Sequence, residues 1–254
     1  YWMTAFGIDA FRLDAVHAIV DTREMPFLAE LSDRLQAAAE RRGRRVYLIA
    51  ESDDNNPRLI QPREIGGYGH DAQWSDDFHH ALHALATGER QGYYQDFGAL
   101  DDLARAMTRG YVYAGQYSRF RRRRHGATPQ LTSPSQFVVC SQNHDQIGNR
   151  AAGDRLSTLV SFEMLKLAAA AVILSPYTPL LFMGEEYGEE APFQYFTSHG
   201  DRELARAATE GRRAEFATFA WATEVPDPQD EATFERSKLR GTPALSGNQH
   251  QLRD

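Results

Sequence analysis

Three carboxylates in this chain each stand just beyond a short apolar run. Asp14 closes Ile8-Asp9-Ala10-Phe11-Arg12-Leu13-Asp14, Glu51 follows Val46-Tyr47-Leu48-Ile49-Ala50, and Asp145 comes shortly after Phe137-Val138-Val139-Cys140. Each run reads as a buried strand that delivers an acid where the apolar pattern stops. Carboxylates gathered at successive strand ends form an acid/base site suited to a polyol, and cleavage of a glycosidic bond needs such a site.

The neighbours of these acids support that chemistry. Arg12 and Asp14 lie two apart on a strand, so both side chains share one face. A guanidinium there holds a carboxylate ionised and oriented, as a nucleophile requires, although an R-x-D pair also serves as a plain ion pair at a strand end. Glu51 follows a mostly apolar run and belongs at the edge of a dry region, a setting that suits a proton donor. Around His144 and Asp145 stand Gln142, Asn143, Gln146 and Asn149, donors and acceptors matched to vicinal hydroxyls. No second histidine stands at ligand spacing from His144, so no metal is expected. His79 and His83 lack the glutamate of an H-E-x-x-H motif and, with His80, are expected on a helix surface. Arg121 to Arg124 read as a solvated loop that braces the site, Glu185 and Glu186 as rim or structural residues, and Trp2, Trp74 and Trp221 as packing residues.

The elements that must position these residues alternate between strand and helix patterns. Strands are expected at Ile8–Leu13, Val46–Ala50, Asp71–Trp74, Phe137–Cys140 and Leu180–Met183. Helical spacing lies between them, and a charged helix spans Arg202–Phe219. This alternation implies a parallel sheet with helices outside. Five strands would suffice for a doubly wound sheet, but no G-x-G-x-x-G or Walker-type loop follows any of them. A (β/α)8 barrel places catalytic residues at the C-terminal ends of several strands, and these five would be its second half. The polar stretch 114–135 reads as a long binding loop or lid. Residues 1–222 are expected to form this partial barrel, and 223–254 a linker into a further C-terminal domain.

Composition narrows the class. A chain of 254 residues with 42% apolar content can bury the core of one substantial domain. A net charge of −7 argues against nucleic acid or an anionic membrane as a partner. The longest apolar stretch, Leu165 to Leu174, contains Lys166 and is too short to span a bilayer. The single cysteine, Cys140, can form no internal disulfide, which makes a reducing cytosol the default compartment. The opening Tyr1-Trp2-Met3-Thr4 reads as a helix entered midway, so a fold truncated at both ends is expected.

Taken together, the motifs resemble the α-amylase superfamily of retaining glycoside hydrolases, glycoside hydrolase family 13. Phe11-Arg12-Leu13-Asp14-Ala15 is similar to its motif on the fourth barrel strand, Ala50-Glu51 to that on the fifth, and Asn143-His144-Asp145 to that on the seventh. Pro179-Leu180-Leu181-Phe182-Met183-Gly184-Glu185-Glu186 resembles the eighth strand and its loop. The resemblance implies strands 4–8 of the barrel, Asp14 as nucleophile, Glu51 as acid/base and Asp145 as the third catalytic carboxylate. It implies substrate contacts from Arg12, His17, Asp53, Gln142, Asn143 and His144, and no cofactor. Stretches such as Leu13-Asp14-Ala15-Val16-His17-Ala18-Ile19 and Ala50-Glu51-Ser52-Asp53 resemble the branch that releases trehalose from maltooligosyl trehalose. His17 stands where many α-amylases carry a lysine followed by a histidine, which implies a role on the leaving-group side. The family's motif on the third strand has no counterpart here. Two alternatives stay open: a branching or other α-glucan-active enzyme, and a non-catalytic fragment.

Overall fold

The computed structural model describes residues 1–216, 225–241 and 247–253. Five short strands, β1 (Ala10–Leu13), β2 (Tyr47–Ala50), β3 (Ala72–Trp74), β6 (Phe137–Val139) and β7 (Thr178–Pro179), pair in chain order into one parallel sheet. Between β3 and β6 lies a small antiparallel pair, β4 (Tyr117–Ser118) and β5 (Arg123–Arg124). The register sets Leu13 against Ala50, Ala50 against Gln73, Trp74 against Val138, and Val139 against Pro179. The C-terminal ends therefore finish level, and every segment that leaves a strand emerges on the same rim.

The period of two along the strands decides which face is dry. Ala50, Phe137 and Val139 are buried in one core with Phe78, Ala81, Leu82, Ala106, Leu165 and Val172 from the helices, and Leu13 packs against it. Arg12 on β1 and Trp74 on β3 are only half-buried. A smaller cluster of Met3, Ala39 and Val46, with Phe11 and Leu35, seats the helix Trp2–Phe6 near the helix Phe27–Glu40.

The structure shifts the last strand. The apolar run Leu180–Met183 was expected to be extended and paired, but pairing falls at Thr178–Pro179. The Leu180 N–H still donates to the Val139 carbonyl at 2.8 Å. Pairing then stops, because the Phe182 N–H donates to the Glu185 carboxylate at 2.8 Å and Gly184 turns the chain with φ of 84°. The polar stretch 114–135 is likewise not structureless, since it holds β4 and β5.

The histidine cluster is also corrected. His79, His80 and His83 are buried rather than on a surface, with 1%, 6% and 4% of their area exposed. The turn Gly92–Asp96 lays Tyr93 and Tyr94 over their helix, so His83 stacks on Tyr94 at 4.5 Å and His80 faces Tyr93 at 4.7 Å. Burial pushes all three imidazoles below their ordinary range and keeps them neutral.

The charged helix runs over Arg202–Phe216; its expected continuation to 219, Trp221 and the expected boundary at 222/223 lie outside the described residues. Beyond them, the Gln194 N–H donates to Ser237 Oγ at 3.0 Å and the Thr197 N–H to the Pro228 carbonyl at 2.8 Å, so residues 225–241 pack on the loop after β7. Among the described residues no helix is long and apolar enough to cross a membrane.

One buried carboxylate locks the start of the helix Asp76–Thr87. Asp77 Oδ2 accepts from the N–H groups of Val112 and Tyr113, both at 2.8 Å, and from Asn55 Nδ2 at 2.7 Å. Asp77→Ala leaves these buried donors without an acceptor and should destabilise the fold by about 3 kcal/mol in urea unfolding. A loss below about 1 kcal/mol would show that the latch carries little stability.

Candidate active site

The rim after β1 and β2 is knitted by backbone. The Glu51 N–H donates to the Leu13 carbonyl at 2.9 Å, and the Val16 N–H donates to the Glu51 carbonyl at 3.0 Å. Between them Ala15 adopts a left-handed conformation with φ of 43°, which is costly for a residue bearing a Cβ. That turn aims the Ala15 N–H at Glu51 Oε2, 2.5 Å away. The backbone beside Asp14 therefore fixes the Glu51 carboxylate, whose side chain is 14% exposed against 79% for Asp14.

Arg12 joins the strand ends. Its Nη1 donates to Asp14 Oδ1 at 2.7 Å, while Nη2 stands 3.6 Å from Asp145 Oδ2 and 3.8 Å from Glu51 Oε2. One cation thus lies within 4 Å of three carboxyl groups brought from the ends of β1, β2 and β6 and attracts whichever of them are ionised. The Trp74 ring lies 4.2 Å from the guanidinium carbon and holds it by cation–π attraction. His144 meets the same ring edge-on at 6.0 Å and places Nε2 3.3 Å from Asp145 Oδ1.

Asp14, Glu51 and Asp145 line one cleft of about 350 Å³ together with Asp53, Asp76, His80, Tyr93, Phe120 and Arg121. Asp53 is held by Arg121 Nη2 at 3.1 Å and stands 3.9 Å from His17 Nδ1. His17 itself lines an adjoining hollow of about 160 Å³. Gln142 and Asn143, expected to contact substrate, do not line the cleft. Both are buried: Gln142 Oε1 accepts from the Leu156 N–H at 2.9 Å, and Asn143 Oδ1 caps the helix His144–Gly148 through the Asp145 N–H at 2.8 Å. Their amide oxygens are taken by backbone N–H groups, and the Asn143 cap aims Asp145.

Trp74, which holds Arg12 beside the cleft, and Arg121 and Asp76, which line it, are among the residues that escaped the sequence reading in this role. Trp74 resembles any packing tryptophan, and Arg121 is hidden in a run of four arginines of which only it is drawn inward. Asp76 follows β3 as Asp14 follows β1, but the three-residue strand gives a weak apolar signal. Burial, with the charges of Glu51, Asp53, Asp77 and Asp145, pushes its carboxyl up to about 7. Behind the cleft, Glu185 is buried, bonded to Ser141 Oγ and the Phe182 N–H, a structural position. Among the described residues no group of histidines, cysteines and acids is arranged to hold a metal.

This geometry agrees with what the chain is similar to. No family profile matches the sequence. A crystal structure of a Salmonella typhimurium protein assigned as an alpha amylase superposes with a TM-score of 0.91 at 41% identity, covering 100% of this chain and 43% of that one. The parallel sheet is thus the α/β fold of that α-amylase class. Malto-oligosyltrehalose trehalohydrolases are 50% identical over 254 residues in Rhizobium sp. and 48% over 239 residues in Saccharolobus solfataricus, covering 99% and 94% of this chain. A 1,4-alpha-glucan branching enzyme of Bacillus caldolyticus is 22% identical over 199 residues, or 74% of this chain and 26% of its own length. Over the span it shares, which is 43% of the Rhizobium protein and 40% of the Saccharolobus one, the chain is similar to malto-oligosyltrehalose trehalohydrolases.

The wall behind the histidines carries a testable ion pair. Glu89 accepts from Arg150 Nη1 and Nη2 at 2.8 and 2.9 Å and contacts His83 Nε2 at 2.9 Å. Burial alone would raise its pKa, but these bonds outweigh burial and hold it at about 2 instead of 4.5. A depressed carboxylate contributes stability that is present above the unfolded value and lost as pH falls through the folded one. Glu89→Gln should therefore cost about 2 kcal/mol at neutral pH, with the gap to the parent closing between pH 4.5 and about 2 in denaturant titrations. A gap that stays constant over that window would contradict the assignment.

Proposed function

We propose that the protein carrying this chain hydrolyses the α-1,4-glucosidic bond next to the terminal trehalose of maltooligosyl trehalose and releases trehalose. The observation that carries this reading is the convergence of Asp14, Glu51 and Asp145 on one guanidinium at the rim of one cleft. The names and identities of the relatives support the substrate.

Each role follows from which atoms are free. Asp14 Oδ1 is held by Arg12, whereas Oδ2 takes no bond from a described residue, so Oδ2 attacks the anomeric carbon and forms a glycosyl ester. Glu51 Oε2 accepts from the Ala15 N–H, which leaves Oε1 to hold the proton that passes to the departing glycosidic oxygen. Water then attacks the ester from the vacated side, gives its proton to Glu51 and frees Asp14, so the anomeric configuration is retained. Asp145, steadied by His144, bonds ring hydroxyls more strongly as the ring gains oxocarbenium character. His17, Asp53 and Arg121 form a linked group beside these acids and contact the leaving-group side.

The same reading assigns the five parallel strands to strands 4–8 of a (β/α)8 barrel, residues 1–222 to that domain, and 223–254 to a linker into a C-terminal domain. A lone buried Cys140 suits a cytoplasmic setting. A branching transferase would use the same ester with a sugar acceptor, but the identity to that class is 22% against 50%.

Asp14→Asn should reduce trehalose release at least ~1,000-fold while leaving the circular dichroism spectrum unchanged, as loss of a nucleophile does. Activity within a few-fold of the parent would remove Asp14 from that role. Glu51→Gln should be slow on maltooligosyl trehalose yet largely restored on a glucoside whose leaving group needs no proton; equal slowness on both would dismiss it as the acid. Products from the parent should contain free trehalose, and transfer to new branch points would favour the transferase.

A further inference from the structure

We infer that Asp76 contacts the substrate, its carboxyl taking a hydroxyl of the bound α-glucan in the cleft that holds Asp14, Glu51 and Asp145. The inference rests on the cleft being the glucan site and adds a fifth carboxyl to Asp14, Glu51, Asp53 and Asp145. Every other acid lining the cleft has a protein partner. Asp14 is bonded to Arg12, Glu51 to the Ala15 N–H, and Asp53 to Arg121, while Asp145 lies beside His144 and Arg12. The half-buried Asp76 carboxyl has no hydrogen bond or ion pair among the described residues, although it lines the same cleft. A carboxyl that faces a cleft and is not engaged by the protein is free to bond what the cleft holds.

Its position is fixed rather than adaptable. Asp76 opens the helix Asp76–Thr87, and the next residue, Asp77, is locked by Val112, Tyr113 and Asn55. The Asp76 side chain, in the first turn, makes no capping hydrogen bond to its own helix, which leaves its oxygens to the cleft.

The charges around it explain why it suits a hydroxyl. Glu51 and Asp53 act on it from the segment after β2 and Asp145 from that after β6, and Asp14 lines the same cleft from the end of β1. Arg121 comes from the β4–β5 hairpin and is tied to Asp53, and Asp77 and His80 lie on its own helix beside Tyr93. Burial, with the acidic balance of these neighbours adding to it, pushes the carboxyl up to about 7. A protonated carboxyl donates through one oxygen and accepts through the other, the pattern that a sugar hydroxyl complements.

Calorimetric titration of the intact protein with maltotetraose tests this on the parent, Asp76→Ala and Asp76→Asn. Asp76→Ala should bind about 10-fold more weakly, and Asp76→Asn, which keeps a donor and an acceptor, should stay within about threefold of the parent. Both variants should melt at the parent temperature. Equal affinity in all three proteins overturns the contact, as does equal loss in Ala and Asn or a parent without measurable affinity. A parent that binds maltotetraose but releases no trehalose from maltooligosyl trehalose would contradict the proposed hydrolysis, while weakened binding in Asp76→Ala alone would still support the contact.

Discussion

The site depends on a single cation placed among carboxylates. Carboxylates brought to one rim repel one another, and a counter-charge among them offsets that repulsion. Arg12 supplies it from the same strand face as Asp14, and Trp74 keeps the guanidinium from swinging away. Among the described residues one oxygen of Asp14 and one of Glu51 take no hydrogen bond, so the charge that gathers the acids does not consume them.

The fold exists around that constraint in a direct sense. A parallel register that ends level on Leu13, Ala50, Trp74 and Val139 is what sends Asp14, Glu51, Asp76 and Asp145 to one rim. The buried face of the sheet and the helices packed on it supply rigidity, and the polar residues below the rim refine the aim. Asn143 orients Asp145 through a helix cap, Gln142 anchors the following helix, and the strained Ala15 turn orients Glu51. Such outer contacts are where a functional constellation gains its accuracy.

Much of this was legible in the residues, and the reasons for the misses are physical. The strands β1, β2, β3 and β6 fell within the apolar runs, because a strand buried on one face must alternate or run apolar. The last strand did not, since a carboxylate from Glu185 captures the Phe182 N–H and ends the pairing early. Periodicity cannot foresee a side chain that competes with a neighbouring strand. The histidines at 79, 80 and 83 looked like surface residues because imidazoles are polar; Tyr93 and Tyr94, more than ten residues on, bury them. Gln142 and Asn143 carried the right chemistry for a sugar, but the Leu156 N–H, brought near by the fold, has claimed the Gln142 oxygen, and a local helix cap has claimed that of Asn143. Asp76 showed the reverse, a residue without a motif that the fold places among the acids.

The central claim is that Asp14 becomes covalently bonded to the sugar. Incubating the protein with a fluorinated α-glucosyl fluoride, which forms the ester but slows its hydrolysis, and mapping the adduct by peptide mass spectrometry tests this directly. The account predicts one added glycosyl unit on the peptide that contains Asp14. An adduct on a peptide carrying Glu51 or Asp145, or turnover with inverted anomeric configuration and no adduct, would contradict it.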